Sequence, residues 1–104
     1  MGYRSDVALR FNENVVEAVT LARKLDKALD EMLGYGKTTE PCSFRWEYSK
    51  WYDTYPDVQA IENLLLKLEE DDYGFIRVGE DTTDIEYRGS PCDLDMYVSR
   101  AIEW

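Results

Sequence analysis

Residues 1–104 predict a single α+β domain: a mainly antiparallel sheet of about four to five strands, with two helices packed on one face. Three observations carry that reading. Apolar and polar residues alternate with period two over 3–11 and again over 42–49. Two stripes at spacings of three and four mark a helix after each of those strands. Strand signals then run together over 73–104 with no helix between them, giving the order β-α-β-α-β-β-β.

In the first strand, Tyr3, Ser5, Val7, Leu9 and Phe11 share one face, and Arg4, Asp6, Ala8 and Arg10 share the other. Asn12 or Asn14 offers a helix cap, and Asn14 with Glu17 has the pattern of a capping box. Val15, Ala18, Val19, Ala22, Leu25, Leu29 and Met32 then predict one helix of about five turns, ended by Gly34 and Gly36. After the turn at 38–41, Cys42, Phe44, Trp46 and Tyr48 predict the buried face of a second strand. The Trp51-Tyr52 pair breaks that alternation, placing a bulge or strand end near Lys50. Thr54 with Asp57 resembles a cap, and Pro56 suits a first helical turn. Val58, Ile61, Leu64, Leu65 and Leu68 line the second helix.

That helix runs into Glu69, Glu70, Asp71 and Asp72, carboxylates that oppose the macrodipole if they lie inside its last turn. Tyr73 to Arg88 reads as two strands and a glycine-punctuated loop. The loop and its exit carry Glu80, Asp81, Asp84 and Glu86. Spaced by two, Asp84 and Glu86 point to one face, opposite Ile85 and Tyr87. Gly89-Ser90-Pro91 is a turn. The alternation of Leu94, Met96, Val98, Ile102 and Trp104 predicts a final strand, with a helix as the runner-up for its last part and Arg100 as a partner for a sheet carboxylate. The face away from the helices would carry many of the Tyr, Arg and acidic side chains.

Formal net charge is −10 and is unevenly spread. Residues 1–52 hold eight acids and eight bases; residues 53–104 hold fourteen acids against Lys67, Arg77, Arg88 and Arg100. One-sided acidity repels nucleic acid and anionic lipid and attracts basic protein surfaces. No apolar run approaches the roughly 20 residues of a membrane helix. The start lacks the apolar core of a secretory signal, so a cytoplasmic protein is expected. Histidine is absent, which excludes Ser-His-Asp and Cys-His nucleophilic machinery. Cys42 and Cys92 are too few for a zinc site unless carboxylates complete it, and read as buried free thiols.

Gly2-Tyr3-Arg4-Ser5-Asp6-Val7-Ala8-Leu9, Lys50-Trp51-Tyr52, Ile76-Arg77-Val78-Gly79-Glu80-Asp81 with Asp84-Ile85-Glu86, and Val98-Ser99-Arg100-Ala101-Ile102 together resemble a group of small uncharacterised bacteriophage and prophage proteins. The resemblance spans most of the chain. It implies a phage origin, and with it the class of small phage proteins that disable host machinery such as CRISPR nucleases, restriction enzymes and polymerase.

The acidic hairpin fails the spacing of an EF-hand, although hard-oxygen clusters suit Mg²⁺ or Ca²⁺. Asp84-Ile85-Glu86-Tyr87-Arg88 offers the acids of a metal-dependent nuclease, but Arg stays protonated and is a poor general base. A negative half also repels DNA. No catalytic residue, cofactor or metal is therefore assigned. The expected function is a phage-encoded accessory protein in the host cytoplasm, of anti-CRISPR or nucleic-acid-mimic type. It would inhibit a host protein with a basic surface, with no direct contact to nucleic acid or membrane. The assigned contact residues are Glu69, Glu70, Asp71, Asp72, Glu80, Asp81, Asp84 and Glu86, with Trp51 and Tyr52 as an aromatic patch. The alternatives are a small metal-dependent enzyme using the acidic hairpin and a homo-oligomeric adaptor. Amide replacement of the four hairpin carboxylates is expected to spare the fold.

Overall fold

The computed structural model describes residues 3–36, 42–81, 83–94, 96–98 and 102–103. Its centre is a four-stranded antiparallel sheet of β1 (Ser5–Phe11), β2 (Ser43–Ser49), β3 (Tyr73–Gly79) and β4 (Ile85–Gly89), in the order β2-β1-β3-β4. Three helices pack against it: α1 (Val16–Leu25), α2 (Lys27–Tyr35) and α3 (Pro56–Leu66). The α+β class therefore holds, with three helices where two were expected. Among the described residues, no helix is long and apolar enough to cross a membrane.

Alternation in β1 and β3 sets the layers. Val7, Leu9, Phe11, Tyr73 and Phe75 join Phe44 and Trp46 on the helix-side face, where Val19, Leu29, Leu33, Val58, Ile61 and Leu65 cover them. Trp46 is held there by its indole N–H, which donates to the Met32 carbonyl at 3.0 Å. The opposite face is not the open polar surface expected from the sequence. Ala8, Ile76 and Met96 form a second buried cluster there, with Val78, Ile85 and Leu94 around it. Arg10 fastens this layer by donating to Ser43 Oγ at 2.9 Å and to the Leu94 carbonyl at 2.8 Å.

The expected five-turn helix is broken at Asp26. Its backbone is extended there (φ −131°, ψ 104°), and its carboxylate accepts the N–H groups of Ala28 and Leu29 at 3.1 and 3.3 Å, capping α2. Asx side chains compete with the helical ladder in this way. The break turns Leu25 out of the stripe to 80% exposure. The Asn14–Glu17 capping box does not form; Asn12 instead accepts the Asn14 N–H at 3.4 Å and starts a 3-10 turn at Glu13–Val15. At α3 the cap position is Tyr55, with no side-chain cap; Asp57 accepts only its neighbour's N–H, that of Val58, at 2.9 Å.

β2 carries its bulge earlier than Lys50. Val7 pairs with Trp46 but Ser5 pairs with Ser49, so β2 spends one extra residue between them. Tyr48 absorbs it with a positive φ of 51° and turns outward, 68% exposed, although its spacing placed it on the buried face. The acidic tract lies beyond α3, whose cap is Lys67. It forms a separate 3-10 turn at Glu70–Asp72, where the Asp72 carboxylate accepts the Glu69 N–H at 3.0 Å. The conflict with the macrodipole therefore does not arise.

The expected final strand is a 3-10 turn at Cys92–Leu94 followed by a small hairpin of β5 (Tyr97–Val98) and β6 (Ile102–Glu103). Met96 leads into it, seated on the second face of the sheet. Gly2, the 38–41 turn, Arg100 and Trp104 lie outside the described residues.

Candidate functional site

Position 77 is the hub of the β3–β4 hairpin. In β3 it shares the helix-side face with Phe75 and lies opposite Glu86 of β4. The Arg77 guanidinium grips Asp84 from two nitrogens, at 2.9 and 3.2 Å. Its Nε donates to Glu86 at 3.0 Å and Nη1 to Ser5 Oγ at 3.1 Å. Fork-shaped charge-assisted contacts of this kind are specific in geometry as well as sign. The two-residue spacing of Asp84 and Glu86 thus brings both to one cation.

The start of the chain closes over this hub. Tyr3 donates its hydroxyl proton to Asp84 at 2.7 Å, and the same oxygen accepts the Asp81 N–H at 3.1 Å. The Arg4 N–H donates to the Glu80 carboxylate at 3.1 Å. Gly79 makes the approach possible, since a Cβ there would meet Tyr3 Oη at 2.2 Å and an Asp84 carboxylate oxygen at 2.3 Å. The Tyr3-Arg4-Ser5 start and the hairpin residues Gly79, Glu80, Asp81 and Asp84 are therefore one bonded unit.

A cleft of about 550 Å³ opens beside the hub, between the β3–β4 end of the sheet and α3. Trp51 and Val58 supply its apolar wall, and Tyr52, Glu62 and Arg88 its polar one. The tyrosine is anchored, accepting the Tyr3 N–H at 2.5 Å and meeting Tyr55 edge to face, with ring centroids 5.1 Å apart. Arg88 pairs with Glu62 and lies over the Phe75 ring, 5.6 Å from its centroid.

The charges here are locked in their ordinary forms. The Arg77 guanidinium, then the Tyr3 hydroxyl, lowers the Asp84 pKa. Hydrogen bonds from the Thr83 N–H, then its hydroxyl, lower that of Asp81. Arg77 is raised first by its bond to Asp84, and burial opposes this. For Arg88, burial pulls down but the Glu62 bond and neighbouring charges win, and the pKa rises. At Tyr3 the Asp81 N–H pulls the phenol down, and it is outweighed by the Asp84 bond, burial and the two carboxylate charges. Carboxylates held low beside arginines held high do not trade protons near neutrality, so this cleft suits binding better than acid–base work. Among the described residues, no group of three or more His, Cys, Asp or Glu side chains is arranged to hold a metal ion.

The residues assigned from sequence do not form one patch. Glu69, Glu70, Asp71 and Asp72 sit before the first residue of β3, and Glu80 and Asp81 after its last, so the two groups are separated by about 20 Å of extended chain. Asn12 N–H donates to the Asp72 carbonyl at 2.8 Å, which brings the exposed Glu13 to the first group. Glu70, Asp71, Glu80 and Asp81 are exposed, and no ion pair among the described residues reaches them. Asp84 and Glu86, in contrast, are tied to Arg77. Trp51 is core, 9% exposed and packed on Trp46 and Phe75, with ring centroids 5.1 and 6.1 Å away. Tyr52 is half-buried. Sequence reasoning missed Tyr3, Ser5 and Arg77 as the hairpin's partners. The only local signal was an arginine opposite an acid in a two-strand register. Comparison with protein-family models, with curated proteins and with solved structures finds no match for this chain.

Proposed function

We propose that the chain is a small acidic accessory protein of phage origin. It acts in the host cytoplasm, where it binds and blocks a host nucleic-acid-handling or defence protein through that protein's basic surface, in the manner of an anti-CRISPR or nucleic-acid mimic. The observation that carries this reading is the division among the carboxylates. Arg77 holds Asp84 and Glu86, whereas Glu70 and Asp71 at one end of β3 and Glu80 and Asp81 at the other remain exposed without an ion-pair partner among the described residues. Two such groups about 20 Å apart suit a partner with an extended basic groove better than one with a single cationic pocket. The origin rests on the resemblance described above, and the charge division supports the mode of binding.

The test begins with affinity capture of the partner from a bacterial lysate and continues with variants. Glu70→Gln/Asp71→Asn and Glu80→Gln/Asp81→Asn should each slow association at low salt while leaving dissociation nearly unchanged. The effect should shrink at physiological ionic strength, where charges more than about 8 Å apart are screened. Asp84 and Glu86 are left intact, because their amides would strip Arg77 of its counter-charges and confound binding with folding. Folded variants of both pairs that associate at the wild-type rate in low salt would refute the proposal.

A further inference from the structure

The sheet has two edges, and only one is blunted. On β2 the bulge interrupts the ladder between Trp46 and Ser49, and the Arg4 guanidinium lies over the Tyr48 ring. Bulges of this kind protect an edge. β4 has no strand on its outer side among the described residues, and its register with β3 is regular from Gly74·Gly89 to Val78·Ile85.

The direction of its backbone groups follows from two hydrogen bonds. Gly79 N–H donates to the Asp84 carbonyl and Ser90 N–H to the Tyr73 carbonyl, each at 2.8 Å. Bonded and non-bonded pairs alternate along an antiparallel ladder. Pairs 77·86 and 75·88 are therefore bonded, and Glu86 and Arg88 spend their backbone groups on β3. Ile85, Tyr87 and Gly89 turn theirs to the open side. The Ile85 N–H is partly occupied by the Thr83 carbonyl at 3.2 Å, leaving its C=O to serve as an acceptor.

We propose that β4 is a self-association edge, and that a second copy of this chain pairs with it antiparallel, the two Tyr87 residues facing one another on a two-fold axis. Each Tyr87 exchanges N–H and C=O bonds with its counterpart, and each Gly89 N–H reaches the second copy's Ile85 carbonyl. The same register sets Glu86 directly opposite the second copy's Arg88, on the helix-side face. Facing non-bonded pairs bring side chains closest together. The charges then alternate across the joint as Arg77, Glu86, Arg88 and Glu62, each already anchored within its own subunit. A chain of net charge −10 thus meets its copy along a strand, Ile85–Gly89, whose own acid and base cancel. The exposed Tyr87 rings, on the other face, gain each other as partners. An isologous contact of this kind closes on itself, and the joined sheet then ends at the bulged β2 strand of each copy. The inference is independent of the partner-binding proposal, because it uses none of Glu70, Asp71, Glu80 and Asp81.

The test is the oligomeric state of the full chain by sedimentation velocity and light scattering, across micromolar to millimolar loading. The expected mass is twice the 12.2 kDa of one chain. Tyr87→Pro removes only an outward-facing donor, since the Tyr87 N–H does not serve β3, and it should give a folded monomer. Should that variant not fold, Tyr87→Lys places a charge at the axis against its own copy and should also give a monomer. Amide exchange at Tyr87 and Gly89 should be slow in the wild type and fast in the monomeric variant. Leu25→Glu, on the helix side, should leave the dimer intact. A wild-type monomer at every loading, a folded Tyr87→Lys dimer, or a dimer dissolved by Leu25→Glu would each overturn the proposal.

Discussion

Replacing Arg77 by methionine keeps much of the side-chain volume and removes the cation that holds Tyr3, Asp84 and Glu86 in one unit. Arg77 is 18% exposed, and its two carboxylate partners are 36% and 42% exposed. Exposed pairs contribute about 0–1 kcal/mol each, whereas breaking a fully buried pair costs about 3–5 kcal/mol. A half-buried cation between two screened carboxylates falls between these limits. We expect Arg77→Met to destabilise the domain by about 2 kcal/mol, a drop of roughly 10 °C in midpoint for a chain of this size.

The loss should depend on pH in a defined direction. Arg77, then Tyr3, depresses the Asp84 pKa below its ordinary 3.8. A group lowered by folding adds stability that is complete above its unfolded pKa and vanishes as pH falls through the folded one. The gap between wild type and variant is therefore full at neutral pH and closes below about pH 4. Urea titrations at pH 7 and pH 3 measure it. Adding Asp84→Asn and Glu86→Gln to the variant should recover part of the loss, because two carboxylates no longer face each other without a cation. A neutral-pH difference below about 0.5 kcal/mol, the scatter of ordinary surface substitutions, would refute the hub role.

Gly89→Ala should cost more than about 2 kcal/mol, since φ is +71° and the new Cβ would lie 2.3 Å from the Tyr73 carbonyl oxygen; thermal melting reports it. At Tyr48 the usual order should invert, with Tyr48→Gly more stable than Tyr48→Ala by about 1 kcal/mol, because φ is 51°. Equal stabilities would count against the bulge. Both cysteines are free thiols, but Cys42 is half-buried and Cys92 exposed where burial of both was expected, so Cys92 should react first with a thiol reagent on native protein, and both on unfolding without reductant. Melting should ignore EDTA, Mg²⁺ and Ca²⁺; a specific site filled at 100 times its dissociation constant would add about 2.7 kcal/mol and reveal itself.

What the sequence determined by itself is what depends on neighbours along the chain. Val7, Leu9 and Phe11 alternate, and Val58, Ile61, Leu64 and Leu65 recur at three and four, whatever lies across from them. Those periods placed β1, α3 and much of the main core, and an apolar run with a glycine-punctuated turn placed β3 and β4. Asp26 was legible in principle, as an Asx cap inside an apolar stripe, but the unbroken stripe outweighed it. Tyr48 was not legible. Its side chain faces out because the register of β1 against β2 needs one extra residue, and a register is set between strands far apart in sequence. The tail's alternation likewise signalled a long strand, whereas the apolar patch of Ala8 and Ile76 drew Met96 onto the sheet and left two short strands.

The acidic hairpin divides in the same way. Its charge and the common face of Asp84 and Glu86 are local properties. That Tyr3, separated from Asp84 by 81 positions, and Ser5, by 72 from Arg77, close around them was decided only when β1 settled beside β3. Long-range pairing of this kind follows the energy of the whole packed sheet, which no window of the sequence contains.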